Sequence, residues 1–201
     1  MEILSCENVA FKYNESTDYA ISDCTFSVKK GEKIMLCGAS GSGKSTLANA
    51  LGEYYGAEVL HLDCVHWLAG WRERPRAEET EIVARFLDEK ESWVIDGNYW
   101  SLSFERRLEE ADLVVVMQFN RVSCLLRALR RYRRNRGKSR DSMTEGCDEK
   151  IDFEFVRWIL WDGRKKRHRA RYRKAPEKYP EKTVVVKNQR QIDALKKKMK
   201  K

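Results

Sequence analysis

Residues 38–46 read GASGSGKST, and the rest of the chain is best understood outward from them. They fit the pattern G-x-x-x-x-G-K-[ST], with an apolar run of strand length at 33–37 and helix-like composition at 47–51. In such a strand–turn–helix, the backbone N–H groups of the turn and the helix N-terminus converge on a phosphate. The stretch therefore predicts a phosphate-binding P-loop.

The P-loop predicts ATP and Mg²⁺ as ligands. Lys44 is expected to reach the β- and γ-phosphates, and Ser45 is expected to be a ligand of Mg²⁺. The predicted nucleotide contacts in the loop are Gly38, Ala39, Ser40, Gly41, Ser42, Gly43, Lys44, Ser45 and Thr46.

Composition favours one cytoplasmic domain. A chain of 201 residues is large enough to bury a core, and its six cysteines contain no C-x-x-C pair, which is typical of reduced thiols. No apolar run approaches the roughly 20 residues of a membrane span. The first residues lack the basic and apolar regions of a signal peptide.

Charge divides the chain into two unlike parts. Residues 1–120 have a net charge of −9, and residues 121–201 have a net charge of +18. A strongly basic half indicates either a nucleic-acid partner or a phosphate-handling face with a solvated tail. The composition alone leaves both open.

The segments after the loop predict an α/β fold. Strand-length apolar runs alternate with amphipathic segments, which favours an open, mainly parallel five-stranded sheet with helices on both faces. An N-terminal antiparallel β extension is expected from two earlier runs. Besides 33–37, the predicted sheet strands are 57–63, 92–99, 113–117 and 183–186; the predicted helices include 78–88, 103–111 and one from 151 to about 173 that prolines break.

Two of the predicted strands end in an aspartate. Ligands of open parallel sheets bind beyond the carboxyl ends of the strands, so Asp63 and Asp96 are expected on the P-loop side. Asp96 is a candidate for Mg²⁺ binding with Ser45, and Asp63 for orienting an acceptor hydroxyl or assisting the metal. A turn or capping role is the structural alternative for such residues.

An arginine-rich segment follows the fourth predicted strand of the sheet. Helical spacing places Val122, Leu125, Leu126 and Leu129 on one face, with arginines opposite. A lid over the phosphates is predicted at 127–147, and a solvated helix face is the alternative. The candidate lid residues that neutralise phosphoryl charge are Arg127, Arg131, Arg134 and Arg140.

The segment after residue 60 carries two further patterns. His61, Cys64 and His66 suggest a metal site, although strand alternation would point His61 and Cys64 to opposite faces. Trp67 and Trp71 suit either an aromatic acceptor pocket or core packing.

Two family resemblances complete the sequence-based hypothesis. Residues 1–50, with AISDCTFSVKKGEKIMLCGASGSGKSTL, resemble the N-terminus of an ABC transporter ATPase. That resemblance implies that Tyr13 stacks on adenine. It is expected to end there, because the chain has no L-S-G-G-Q signature and no long helical subdomain, and without the signature the ABC sandwich dimer cannot complete its site.

Residues 33–195 resemble the topology modulation protein (FlaR-like) group, which is related to adenylate kinase and other small P-loop kinases. The resemblance lies in HLDCVHW, WVIDGNY, ADLVVVMQFNR and the arginine-rich segment. It implies that Asp96 is the strand-end carboxylate of such kinases. Members of this group usually begin near Lys33, so the ABC-like leader at 1–32 is extra. The predicted single domain then contains the P-loop core at 33–63, an acceptor-binding insertion at 64–91, the lid at 127–147, and a last strand and helix at 183–201.

The sequence thus predicts an ATP-dependent phosphotransferase. Its acceptor is expected to be a small molecule, with a nucleoside or nucleotide suspected. A nucleic-acid-associated NTPase and an ABC-type ATPase fragment are the alternatives. Oligomeric state does not follow from the sequence.

Overall fold

The computed structural model describes residues 2–12, 19–29 and 31–199. Its centre is a five-stranded sheet in which every neighbouring pair of strands is parallel. In chain order the strands are β3 (Lys33–Gly38), β4 (Glu58–His61), β7 (Trp93–Asp96), β8 (Leu113–Met117) and β9 (Thr183–Val186). The order across the sheet is β4-β7-β3-β8-β9, so the P-loop strand is central. The predicted parallel α/β fold is confirmed.

Helices cover both faces of this sheet. They are α1 (Lys44–Tyr55), α2 (Leu62–His66), α3 (Arg76–Glu89), α4 (Phe104–Glu110), α5 (Arg121–Arg134), α6 (Phe153–Leu160), α7 (Lys166–Lys178) and α8 (Gln189–Met199). None of the helices in the described ranges has the length and apolar character needed to cross a membrane.

Alternation along β3 explains the two-sided core. Ile34 and Leu36 pack with α1, α5, α6 and α8, whereas Met35 and Cys37 pack with α2, α3, α4 and α7. All four side chains are buried. Because each fully buried side chain of this size contributes about 1.5–3 kcal/mol, such a strand is stable only between two helical layers.

Small two-stranded sheets lie outside the central one. At the N-terminus β1 (Glu2–Lys12) and β2 (Tyr19–Lys29) pair antiparallel with each other, as predicted. A second short hairpin, β5 (Trp67–Leu68) with β6 (Arg72–Glu73), lies in the segment between β4 and α3. Tyr13, the predicted adenine contact, lies outside the described residues.

Two of the predicted element boundaries are wrong. The strand expected at 57–63 ends at His61. Asp63 lies instead in the first turn of α2, where the helix dipole stabilises an acidic side chain. The helix expected from 151 to about 173 is two helices, α6 and α7, with a 3₁₀ turn at Asp162–Arg164 between them. Pro176 lies inside the last turns of α7 and does not end it.

Of the four residues that helical spacing places on one face of α5, only Leu125 packs against the core. Val122, Leu126 and Leu129 are exposed, while Cys124 and Ala128 are buried. The reason is a close backbone approach: the carbonyl oxygen of Cys124 lies against the P-loop, so only small side chains fit between helix and loop. Hydrophobic spacing does not predict which residues of α5 are buried here, because it takes account of apolarity and not of side-chain size.

Candidate functional site

Three backbone contacts shape the P-loop. Asn98, just after β7, accepts a hydrogen bond from the Gly38 N–H (2.9 Å) and donates one to the Gly38 carbonyl (2.5 Å). At Gly41, where φ is +79°, a Cβ atom would stand 2.4 Å from the carbonyl oxygen of Cys124. The Ala39 N–H donates to the carbonyl oxygen of Met117 (3.1 Å). The loop is therefore fixed to β7, β8 and α5, and its glycines make the approach possible.

The loop leads directly into α1. Gly43 precedes the helix with φ +92° and no side-chain cap, so the first N–H groups of α1 remain directed toward the loop. Lys44 begins α1, and its Nζ donates to the Ala39 carbonyl at 3.3 Å, which places the ammonium over the concave side of the loop. This arrangement can bind a phosphate through backbone dipoles and one cation.

Asp96 lies at the carboxyl end of β7, which neighbours the P-loop strand. His61 Nδ1 lies 3.2 Å from Asp96 Oδ2, and both residues are buried. Burial alone would raise the pKa of the Asp96 carboxyl, but the hydrogen bond from His61 and the charge of Lys44 outweigh it. Interaction with the Ser45 hydroxyl acts in the same direction, so the pKa lies below its usual value and the side chain is a carboxylate.

The Ser45–Asp96 pair fits Mg²⁺. Asp96 Oδ1 is buried and has no hydrogen-bond partner within the described ranges, which is costly for a carboxylate oxygen. A hydroxyl and a carboxylate oxygen are the hard donors that Mg²⁺ prefers, and P-loop proteins use this pair. These two residues would hold the ion.

A second cluster surrounds Asp63. Its Oδ1 accepts a hydrogen bond from the Tyr99 hydroxyl at 2.9 Å, and its Oδ2 lies 3.7 Å from Arg140 Nη2. The Asp63 side chain keeps 41% of its surface exposed. Burial and the neighbouring Asp63 charge raise the pKa of Tyr99, so its hydroxyl remains a donor. Asp63 is thus an oriented carboxylate that solvent or a ligand can reach.

Glu149 holds two of the predicted lid arginines. Its Oε1 accepts from Arg131 Nε at 2.7 Å, and its Oε2 lies 3.4 Å from Arg140 Nε. Burial and the charge of Arg140 lower the pKa of Arg131, while Glu149 opposes that shift. Two guanidinium groups thus face two carboxylates, Glu149 and Asp63, so their charges balance, and what the arginines can offer an anion is their remaining N–H donors.

The other two predicted lid arginines lie in different places. Arg127 Nη1 donates to the carbonyl oxygen of Ser42 at 2.7 Å, and its Nη2 donates to Gln189 Oε1. Its guanidinium lies 4.5 Å from the centre of the Phe119 ring. Arg134 is exposed in the last turn of α5. The structure therefore brings Arg127 to the P-loop, Arg131 and Arg140 to Asp63, and Arg134 to neither.

The predicted lid contacts the predicted insertion through backbone atoms. The Thr144 hydroxyl lies 3.2 Å from the Cys64 carbonyl, and the Gly70 N–H donates to the Gly146 carbonyl at 3.0 Å. Trp71 Nε1 donates to the Asp148 carbonyl at 3.2 Å. Thus Trp71 connects the insertion to the lid, and it does so with a φ of +61°. Its ring lies 5.4 Å from that of Trp67, edge to face.

The alternative metal site finds no support in the described ranges, which contain no cluster of three acidic, histidine or cysteine side chains suited to an ion. His61 contacts Asp96 and Asn49, whereas His66 contacts Glu79 at 2.5 Å. The two histidines are therefore engaged separately.

Sequence reasoning missed four polar residues near the P-loop, Asp96 and Asp63. They are Asn49, Tyr99, Glu149 and, as an Asp96 partner, His61. Tyr99 follows Asp96 closely and could have been found from that spacing. Glu149 and Asn49 lie in segments without a motif, so only the fold reveals them.

Comparison with known proteins places the chain in a family. The sequence model of the ABC transporter family matches residues 21–150. The chain belongs to the ABC transporter family. The expectation that this resemblance ends after residue 50 was therefore wrong. The P-loop NTPase assignment is supported, but the more specific resemblance to the topology modulation group is not.

Individual relatives of this ABC family chain are similar over short stretches. The lipoprotein-releasing system ATP-binding protein LolD of Francisella tularensis subsp. holarctica is 56% identical over 52 residues, which is 25% of this chain and 22% of LolD. The ATP-dependent lipid A-core flippase of Alkalilimnicola ehrlichii is 43% identical over 83 residues, covering 40% of this chain and 14% of the flippase. The chain thus spans less than a quarter of these relatives.

Among solved structures, shikimate kinase from Acinetobacter baumannii in complex with shikimate resembles the whole fold. The TM-score is 0.53 and the identity is 20%, covering 83% of this chain and 89% of the kinase. At this identity the similarity concerns the fold alone. Family and fold together show an ATP-binding P-loop NTPase that uses Mg²⁺.

Proposed function

We propose that the protein transfers the γ-phosphoryl group of Mg²⁺-ATP to a small acceptor, with a nucleoside or nucleotide as the suspected class. One observation carries the proposal: Asp63, at the same carboxyl end of the sheet as the P-loop, is a partly exposed carboxylate that accepts a hydrogen bond from Tyr99 and lies beside Arg140. An oriented carboxylate with arginines beside it suits an acceptor hydroxyl that must be held in line with the γ-phosphorus.

The donor half of the reaction rests on the P-loop. Its N–H groups and Lys44 would bind the β- and γ-phosphates, and Ser45 with Asp96 would hold Mg²⁺. The ion, when bound, neutralises charge on the phosphate oxygens. Asp96 has one oxygen engaged by His61 and one without a partner, which suits a carboxylate that binds from one side.

The acceptor half rests on Asp63. A carboxylate there can accept the proton of an attacking hydroxyl and hold its oxygen in line with the γ-phosphorus. Tyr99 fixes one carboxylate oxygen at 2.9 Å, which limits the rotation of the side chain. Trp67 and Trp71, in the segment 64–91, provide aromatic surface for a ring-shaped acceptor.

The arginines would stabilise the moving phosphoryl group. Arg131 is already oriented by its hydrogen bond to Glu149, and Arg140 lies in ion pairs with Glu149 and Asp63, so little reorganisation is needed when charge develops. Arg127 is bonded to the P-loop backbone and would act on the donor side. Arg134 would contribute only if the segment 127–147 changes position. Together these residues would exclude water from the transferred group.

The experiment is acceptor-stimulated ADP release by the purified chain. A panel of nucleosides, nucleotides and small hydroxy acids is tested with wild type, Asp63→Asn and, as a matched control, Asp141→Asn, an exposed carboxylate in the same predicted lid. We expect one acceptor class to raise ADP release in wild type and Asp141→Asn, and a loss of about 10²–10⁴-fold for Asp63→Asn. Equal stimulation in all three proteins would contradict the proposal.

A second function is favoured by the family match. Residues 21–150 match the ABC transporter family, and a lipoprotein-releasing system ATP-binding protein is among the similar proteins. The chain would then hydrolyse ATP and act through a partner protein. Dimerisation that depends on ATP, measured by light scattering, would favour this function; a monomer in ATP with acceptor-stimulated turnover would favour phosphotransfer.

A further inference from the structure

His61 occupies an unusual position at the end of β4. It is 9% exposed, and both of its ring nitrogens have oxygen neighbours. Nδ1 lies 3.2 Å from Asp96 Oδ2, and Nε2 lies 2.7 Å from Asn49 Oδ1. Buried ring nitrogens need polar partners, and here the two partners belong to β7 and α1, the elements that carry the predicted Mg²⁺ donors.

The first contact determines how Asp96 is presented. A buried carboxylate is stable only when it is hydrogen-bonded or binds a cation. His61 satisfies Oδ2 and leaves Oδ1 buried without a partner in the described ranges. His61 therefore contacts one carboxylate oxygen of Asp96, and the other oxygen is available to bind a cation.

The second contact determines how His61 is oriented. Asn49 belongs to α1, the helix that begins with Lys44 and Ser45. Its side chain is at the surface, and its amide fixes the imidazole from the side opposite Asp96. A single chain of contacts thus runs from α1 through β4 to β7 and connects the elements that carry the two Mg²⁺ donors.

We propose that His61, oriented by Asn49, is a positioning residue that holds Asp96 with Oδ1 directed at Mg²⁺ beside Ser45. The inference rests on the Mg²⁺-nucleotide site of the proposed function and is independent of the acceptor. Residues that hydrogen-bond to a metal-binding carboxylate fix its geometry, and their loss weakens metal affinity by about 10–100-fold.

The test measures metal affinity instead of turnover. Mn²⁺, a paramagnetic substitute for Mg²⁺, is titrated into the chain with a non-hydrolysable ATP analogue, and free Mn²⁺ is followed by electron paramagnetic resonance. His61→Phe keeps the volume and removes both polar contacts. His61→Asn keeps a donor near the Nδ1 position. Asn49→Ala removes only the outer contact, and because Asn49 is exposed, this variant is expected to fold.

We expect Mn²⁺ affinity to fall about 10–100-fold in His61→Phe and less in Asn49→Ala, with partial recovery in His61→Asn. Binding of the analogue without metal should stay within about twofold of wild type, because His61 does not touch the P-loop.

Three results would overturn the inference. One is unchanged Mn²⁺ affinity in His61→Phe and Asn49→Ala while wild type binds Mn²⁺ with the analogue. A second is equal weakening of metal-free and metal-dependent binding, which indicates a structural role. A third is a wild type that binds the analogue equally with and without Mn²⁺, which refutes the Mg²⁺ site of the proposed function itself and is thereby distinguishable from the first two.

Discussion

Replacing Gly41 by alanine tests whether the close contact between the P-loop and α5 determines the conformation of the loop. The new Cβ would stand 2.4 Å from the Cys124 carbonyl oxygen, and ordinary contact begins near 3.4 Å, so loop or helix must move by about 1 Å. The backbone is also strained, because φ at this position is +79°. We expect the two effects to cost about 2–5 kcal/mol of unfolding free energy in total.

Gly56→Ala is the matched control. Gly56 has a positive φ of +63° as well, but a Cβ there has no atom within 4 Å. It should cost only the backbone strain, about 1–2 kcal/mol. For a domain of this size 1 kcal/mol changes Tm by about 2–4 °C, so Gly41→Ala should unfold about 2–12 °C below Gly56→Ala.

Both variants are examined by thermal unfolding and by ATP titration. A displacement of about 1 Å moves the loop N–H groups away from the phosphates, and we expect Gly41→Ala to bind ATP about 10–100-fold more weakly. Gly56→Ala, at the far end of α1, should bind as wild type does. Equal Tm values for the two variants, together with unchanged ATP affinity, would refute the reasoning.

Three other predictions concern charge. Lys44→Ala should reduce turnover by about 10²–10³-fold in an ADP-release assay, because a cation on the phosphates is lost; unchanged turnover would show that Lys44 does not act there. Burial would raise the pKa of Glu110, but hydrogen bonds from Lys33 and Arg106 hold it below its usual 4.5. Glu110 therefore stabilises the fold fully above pH 4.5 and loses this effect as pH falls through its folded-state pKa. In urea unfolding, Glu110→Gln should cost about 0.5–1 kcal/mol at pH 7 and less at pH 3; the same loss at both pH values would contradict the sign. Nucleic-acid binding through the exposed cations of α7, such as Lys166 and Arg169, should weaken steeply with salt in fluorescence titrations; flat, weak titrations at moderate salt would exclude it.

The central sheet could be predicted from the sequence because apolar patterns reflect which side chains are buried. The strand at 113–117 is apolar throughout and becomes β8 with the predicted bounds, since a central parallel strand is covered on both faces. The P-loop was predictable because its glycines follow from backbone geometry. The end of the strand predicted at 57–63 could not be found from the sequence, because the apolar pattern continues from β4 into α2 through the buried Leu62.

Lys44, Ser45 and Asp96 follow directly from motifs, and their expected proximity is found in the structure. The site was not predictable where a contact joins distant segments. Glu149, which holds Arg131 and Arg140, lies in a loop without periodicity. The burial of Cys124 and Ala128 in α5 was also not predictable, because backbone proximity at Cys124 selects small side chains, and no single-sequence pattern measures proximity.

The central claim is that the γ-phosphoryl group of ATP is transferred to an acceptor bound beside Asp63. Phosphorus NMR of the purified chain with Mg²⁺-ATP and each acceptor class follows the γ-phosphorus directly. The account predicts a new phosphoester signal that grows as the γ-phosphate of ATP declines, with at most a minor inorganic phosphate signal, and no such ester with Asp63→Asn. If inorganic phosphate is the only product of wild type with every acceptor, the account is contradicted and the chain is an ATPase.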